Sequence, residues 1–217
     1  MTPEGGSLGI AAVAARSLFL SATSTALALS AGLPAGMFLA QRRGRIASVL
    51  LAFANAGMAL PPVLVGLLVA LSLWRAGPLG FLEWMYTPAA IVVAQTLLAL
   101  PVVVALSASA IRSLDPELTV QIDALGAGRR RRMAMLLREA MPGVFAAALA
   151  GFGATISEVG SVMMVGGNIE GETRVLTTAI LQETRMGNFH AALGLGAVLL
   201  GLSLVIAGLF TRFQSSR

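Results

Sequence analysis

The sequence predicts an all-α membrane protein with five transmembrane helices, N-terminus outside and C-terminus inside. Three observations carry that expectation. Of 217 residues, 57% are apolar and only 12% are charged, whereas soluble domains carry about a quarter charged residues. Five apolar stretches each reach the roughly 20 residues that cross a hydrocarbon core. The arginines are lopsided: Arg42, Arg43, Arg45, Arg112, Arg129 to Arg132, Arg138, Arg212 and Arg217 make eleven on one side of those stretches, and Arg16, Arg75, Arg174 and Arg185 make four on the other. Basic residues accumulate on the cytoplasmic face, so the richer side is read as cytoplasmic.

The elements follow in order. Met1 to Ile10 lacks the basic start of a secretory signal, so a signal peptide is the less favoured reading. Ser17 to Ala40 is the first span, interrupted by Gly32-Leu33-Pro34 and ended by the basic anchor Gln41-Arg42-Arg43-Gly44-Arg45, with Ala11 to Arg16 either extending it or lying at the interface. Ile46 to Trp74 is the second, with Pro61-Pro62 splitting it into two helical pieces, because proline removes a backbone donor. Arg75 to Thr87 is a polar connection, with the interfacial aromatics Trp74, Trp84 and Tyr86 in or beside it. Pro88 to Ile111, interrupted by Pro101, is the third span; Met141 to about Met164 is the fourth and Ala191 to Phe210 the fifth. Residues 1–217 read as one domain, with a cytoplasmic loop at about 112–140 and an outer loop at about 166–190.

Composition also excludes function classes. All fifteen basic residues are arginine, and without lysine there is no Walker A phosphate loop and no Schiff base. The chain therefore cannot be its own ATPase by that route. There is no cysteine, so no disulfide or thiolate metal site exists. His190 stands alone, and a metal needs companion ligands. The pI of about 11.4 is explained by arginines beside apolar spans rather than by nucleic acid.

The loop at 112–140 has a distinctive make-up. It holds Asp115-Pro116-Glu117, then Asp123-Ala124-Leu125-Gly126-Ala127-Gly128, four arginines, and a re-entry at Met141-Pro142-Gly143. It resembles the cytoplasmic coupling motif of ABC importer permeases, whose pattern is E-A-A, three residues, G, and a later leucine-proline. Leu125-Gly126-Ala127 fits; Val120-Gln121-Ile122 stands where E-A-A would, with Glu117 or Asp123 in the acid's role. Met141-Pro142 is the leucine-proline counterpart, a few residues late.

A second resemblance covers Ala154 to Thr184. Ile156 to Ile169 (ISEVGSVMMVGGNI), followed by Thr173 to Ile180 (TRVLTTAI), is similar to permease subunits of tungstate importers. Molybdate and sulfate permeases share a looser form and give the alternative substrates. The resemblance spans roughly residues 15 to 213 and implies a type I importer core in a bacterial or archaeal cytoplasmic membrane, crossing it several times. The residues of this stretch carry two readings each. Glu158 lies about 24 Å beyond Pro142 if helical, and an intramembrane carboxylate is a functional candidate. It would repel a dianion, so pairing with Arg174, with Arg185 or with freed backbone N–H groups near Gly160 or Gly166-Gly167 is the plainer reading, one that shapes an outer gate. Thr155, Ser157 and Ser161 offer hydroxyls to a passing oxyanion or bond their own helix. Asn168 after two glycines suits a turn. Ala147, Gly151 and Thr155 form a small-residue stripe for close helix packing, for which a dimer contact is one option.

The resemblance further implies a non-catalytic subunit that pairs with a second copy of itself, docks Asp123 to Gly128 as a short rigid helix on ABC ATPase subunits that carry ATP and magnesium, and receives oxyanion from an extracytoplasmic binding protein. The chain itself would hold no cofactor. An ATP-independent anion carrier is the rival class, and it gives no reason for the Gly126 loop.

Overall fold

The computed structural model describes residues 4–215 apart from 43 and 127, and the described residues form helices and connecting turns without a strand. The helices are α1 (Glu4–Gln41), α2 (Arg45–Gly57), α3 (Pro62–Leu73), α4 (Pro88–Arg112), α5 (Pro116–Ala124), α6 (Arg129–Glu139), α7 (Met141–Ile156), α8 (Gly160–Gly166), α9 (Leu176–Arg185) and α10 (Phe189–Ser215), with a 3-10 turn at Gly80–Leu82.

The bundle is organised around α1 and α4, which run parallel. Ser24 lies beside Gln95, Gly32 beside Leu100 and Val103, and Gly36 beside Val104 and Ser107. A Cβ on Gly36 would stand 2.7 Å from the Val104 carbonyl oxygen, so the absence of a side chain sets how closely the two helices approach. α7 returns antiparallel to α4, with Gly143 against Ala110 and Gly151 against Val103 and Ala99. The Ala147, Gly151 and Thr155 stripe is buried here, inside the chain, so small residues are used up on intrachain helix contacts and offer no dimer face.

Proline acts differently by position. Pro34 and Pro101 lie inside unbroken helices, so neither interruption expected at those residues occurs; one lost donor is tolerated when the bonds on both sides persist. Pro61 and Pro62 do break the chain as expected, and α2 and α3 meet at 102°. Pro62 takes the first helical position, where its missing N–H costs nothing. The elbow seats Gly57 on Pro101, and α3 then continues to the core formed by Val65, Val69, Leu73, Ala90, Ile91, Ala94, Val162 and Val165.

Other boundaries depart from expectation. Ala11 to Arg16 extends the first helix, one of the two readings, but α1 begins earlier still, at Glu4. The fourth stretch is not one helix to Met164: α7 ends at Ile156 and α8 restarts at Gly160, while α6 and α7 meet at 69°. The stretch at 166–190 is no open loop, because α9 buries Leu176, Thr177, Thr178 and Ala179 within it. Among the described residues, three helices are long and apolar enough to cross a membrane, or up to five if each bent pair is one span.

The two ends of the bundle differ in charge. Gln41 of α1 reaches Met133 of α6, and Arg42, Arg112 and Arg132 surround one hollow at that end. Arg16 and Arg174 meet at the other.

Candidate functional site

The chain breaks where α7 gives way to α8, and the break places most of the gate candidates. Ser157 and Glu158 continue briefly past Ile156, and Glu158 folds back so that its Oε1 accepts the Ser161 N–H at 2.8 Å. A carboxylate on an otherwise orphan helix-start donor is a capping arrangement. Glu158 is 8% exposed, and its backbone carbonyl accepts the Thr177 hydroxyl of α9 at 2.8 Å. Of the partners considered from sequence, a freed backbone N–H beside Gly160 is the one found; Arg174 instead pairs with Glu170 at 3.3 Å. Gly160 sits against Val63 and Gly66 against Ser161, so α3 and α8 touch almost backbone to backbone.

The hydroxyls divide by exposure. Ser157 is exposed and donates to the Gly153 carbonyl at 2.7 Å. Thr155 and Ser161 are fully buried; Thr155 donates to the Phe152 carbonyl at 2.9 Å, and the Ser161 Oγ has no hydrogen-bond partner among the described residues. Neither presents its oxygen at a surface of this chain. Asn168 adopts φ 56°, the left-handed turn conformation expected of an Asn after glycines, and its Nδ2 donates to Gln182 Oε1 at 2.6 Å.

A polar core went unnoticed in the sequence. Gln95 of α4 is 3% exposed; its Nε2 donates to the Thr155 carbonyl at 2.9 Å and its Oε1 lies 3.0 Å from Ser24 Oγ. Thr155 Oγ1 is in turn 3.3 Å from Thr25 Oγ1. The amide thus joins α1, α4 and α7 next to the gate. The signal was available: Gln95 is a solitary amide in a long apolar run, and buried polar groups in such helices require partners. Two further α1 residues were also passed over. Arg16 donates to the carbonyls of Gly171 (2.6 Å) and Arg174 (3.0 Å), and Ser17 Oγ accepts the Leu176 N–H at the start of α9 at 2.8 Å. These contacts bind the 171–176 stretch, and with it the start of α9, to α1.

At the opposite end, α5 and α6 form a protruding knob. Asp115 Oδ1 accepts the Glu117 N–H at 2.8 Å, opening α5, and Ile122 anchors the knob at 1% exposure. Glu117, Ala124, Gly126 and Gly128 are exposed, and Leu125 projects with 78% of its surface free. Gly126 has φ 67°, a conformation that glycine adopts without a Cβ clash. Asp123 to Gly128 is therefore not a short helix, as expected from sequence, but the last residues of α5 and the turn after it, because the left-handed residue ends the helix. Ala127 and the Asp123 side chain lie outside the described residues.

Comparisons with known proteins agree with this architecture. A family model described as binding-protein-dependent transport system inner membrane component matches residues 32–216. A probable anion ABC transporter permease protein of Haloferax volcanii is 41% identical over 210 residues, covering 94% of this chain and 90% of that protein. The tungstate uptake system permease protein TupB of Peptoclostridium acidaminophilum is 38% identical over 198 residues, 91% of this chain and 87% of the relative; the molybdenum transport system permease protein ModB of Azotobacter vinelandii is 28% identical over 208 residues, 92% and 91%. A chain from an inward-facing structure of the MetNI methionine ABC transporter superposes with TM-score 0.82 at 20% identity over 100% of this chain and 99% of that one, a likeness of fold. The family match over residues 32–216 and the two permease relatives at 41% and 38% identity lead to one conclusion: the chain belongs to the inner membrane components of binding-protein-dependent transport systems, the ABC transporter permeases.

Proposed function

We propose that this chain is the transmembrane subunit of an ATP-driven tungstate importer, with five passes, N-terminus outside and C-terminus inside, in the type I arrangement. The similarity to a tungstate permease across 91% of the chain carries the choice of substrate. Antiparallel return of α7 along α4 supports the alternation of the five passes, which are α1, α2 with α3, α4, α7 with α8, and α10, while α6 stays with the knob, and the arginine-rich end faces the cytoplasm. α10, whose most apolar stretch lies outside the packed interior, faces lipid or a second copy.

In this mechanism two copies enclose one pathway, and the α5–α6 knob, led by Leu125 and Gly126, rests on a separate ATPase that holds ATP and magnesium. The permease binds no cofactor and performs no chemistry itself. An extracytoplasmic protein delivers the oxyanion, and the nucleotide favours one of two packings of the pair, since only differential affinity shifts such an equilibrium. The gate is the α7–α8 break, which Glu158 shapes through backbone capping. Ser157 presents an outward hydroxyl, whereas Thr155 and Ser161 work from inside the wall. Reconstitution of the chain with its ATPase and binding protein in vesicles tests the reading: ATP-dependent tungstate uptake exceeding molybdate and sulfate uptake is expected, and uptake without ATP would overturn it. A molybdate preference would favour the second reading, which the molybdenum permease relatives support.

A further inference from the structure

Two hollows at the arginine-rich end share one residue. The first, about 330 Å³, lies among the ends of α1 and α4 and the helix α6, with Gln41, Arg42, Arg112 and Arg132 around it and Leu114 and Leu136 in its wall. Three arginines line it: Arg42 just after α1, Arg112 at the end of α4 and Arg132 of α6. Gln41 ties the α1 side to α6 through Met133, its Nε2 lying 2.8 Å from the sulfur. The second hollow, about 560 Å³, is an apolar trough of Phe38, Leu39, Ile46 and Leu50 with Arg42 and Arg45 at its rim. Arg42 stands between the two, its guanidinium 4.8 Å above the Phe38 ring, while Phe38, Ile46 and Leu50 are 45%, 78% and 47% exposed.

We propose that this paired site holds one anionic phospholipid, its phosphate in the arginine hollow and an acyl chain along the trough between α1 and α2. Guanidinium forks match phosphate oxygens in pairs, and basic hollows between helices at a membrane surface suit anionic headgroups. A free tetrahedral oxyanion would use the first hollow and leave the trough without purpose; the lipid uses both. Occupancy would fix α6 against α1 and α4, and with it the angle at which the α5–α6 knob projects. The inference rests on membrane insertion with this end at the bilayer surface and is independent of which oxyanion is carried.

Native mass spectrometry of the full chain, delipidated in detergent and offered equal phosphatidylglycerol and phosphatidylcholine, tests it. Retained phosphatidylglycerol should exceed phosphatidylcholine, Arg112→Gln should lower its retention by about fivefold, and Arg75→Gln at the other end should leave it unchanged. A millimolar excess of inorganic phosphate should not displace it. Equal retention of the two lipids, an equal loss with Arg75→Gln, or full displacement by phosphate would each overturn the proposal, the last by identifying a free-anion site. Should Arg112→Gln not purify, the lipid ratio and the phosphate competition on the unaltered chain decide. Intact ATP-dependent uptake alongside absent lipid selectivity would sink this inference and leave the transport reading standing.

Discussion

Glu158 and Ser161 close the start of α8 on themselves: the carboxylate Oε1 lies 2.8 Å from the Ser161 backbone nitrogen, inside a segment where water has little access. That places the one acid of the α7–α8 break in a structural bond with the chain rather than free before a dianion. Removing the acceptor by Glu158→Ala should destabilise the permease by ~1–2 kcal/mol, the usual worth of a helix-start acceptor, and Glu158→Gln by less, since its amide oxygen can still accept. Thermal unfolding in detergent measures the order of the three proteins. The ratio of tungstate to molybdate uptake should not change in either variant, and a switched preference would show that Glu158 meets the substrate.

Gln95 predicts a larger effect. Gln95→Leu leaves the Thr155 carbonyl and the Ser24 hydroxyl with one partner fewer in a dry interior, which costs about 1–3 kcal/mol. A cycle of Gln95→Leu, Ser24→Ala and both together should give a coupling of at least about 0.5 kcal/mol because the groups share a network. Additive losses in unfolding measurements would contradict the bond between α1 and α4.

The contact of α3 with α8 distinguishes two glycines. Gly160→Ala puts a methyl 2.7 Å from Val63 Cγ2, whereas Gly66→Ala puts one 2.5 Å from the Ser161 Cα. Both should overpack by about 1–3 kcal/mol. Only the first should recover when Val63→Ala is added, because a side chain can be trimmed and a backbone cannot. Melting temperatures of the single and double variants decide the matter.

For the knob, Leu125→Asp removes an exposed apolar side chain and should leave the melting temperature unchanged while abolishing co-purification with the ATPase. Gly126→Arg should also abolish co-purification, and it should lower stability by about 1 kcal/mol, since a side chain at φ 67° is strained. Retained association in both variants would remove the knob from the ATPase interface.

Much of this molecule was readable along the chain. Hydropathy and run length located every long helix, because crossing a hydrocarbon layer is a demand each segment meets alone. The doublet Pro61-Pro62 announced the α2–α3 elbow. Where expectation failed, a distant partner was responsible. Pro34 and Pro101 were read as interruptions, yet both helices persist with neighbouring α1, α2 and α4 packed around them. The segment at 166–190 looked like a polar loop because Thr177 and Thr178 are polar, and their burial depends on a carbonyl of the α7–α8 break and on the start of α9 itself.

The sequence by itself determined that this chain lives in a membrane, carries no nucleotide-binding lysine and bears a basic end with a glycine-hinged knob, since these follow from residue type and local spacing. Only the tertiary structure decided that Glu158 caps α8, that Gln95 joins three helices and that Thr155 and Ser161 are sealed inside. A polar side chain in an apolar run must find a partner, but which partner is a question of what folds beside it.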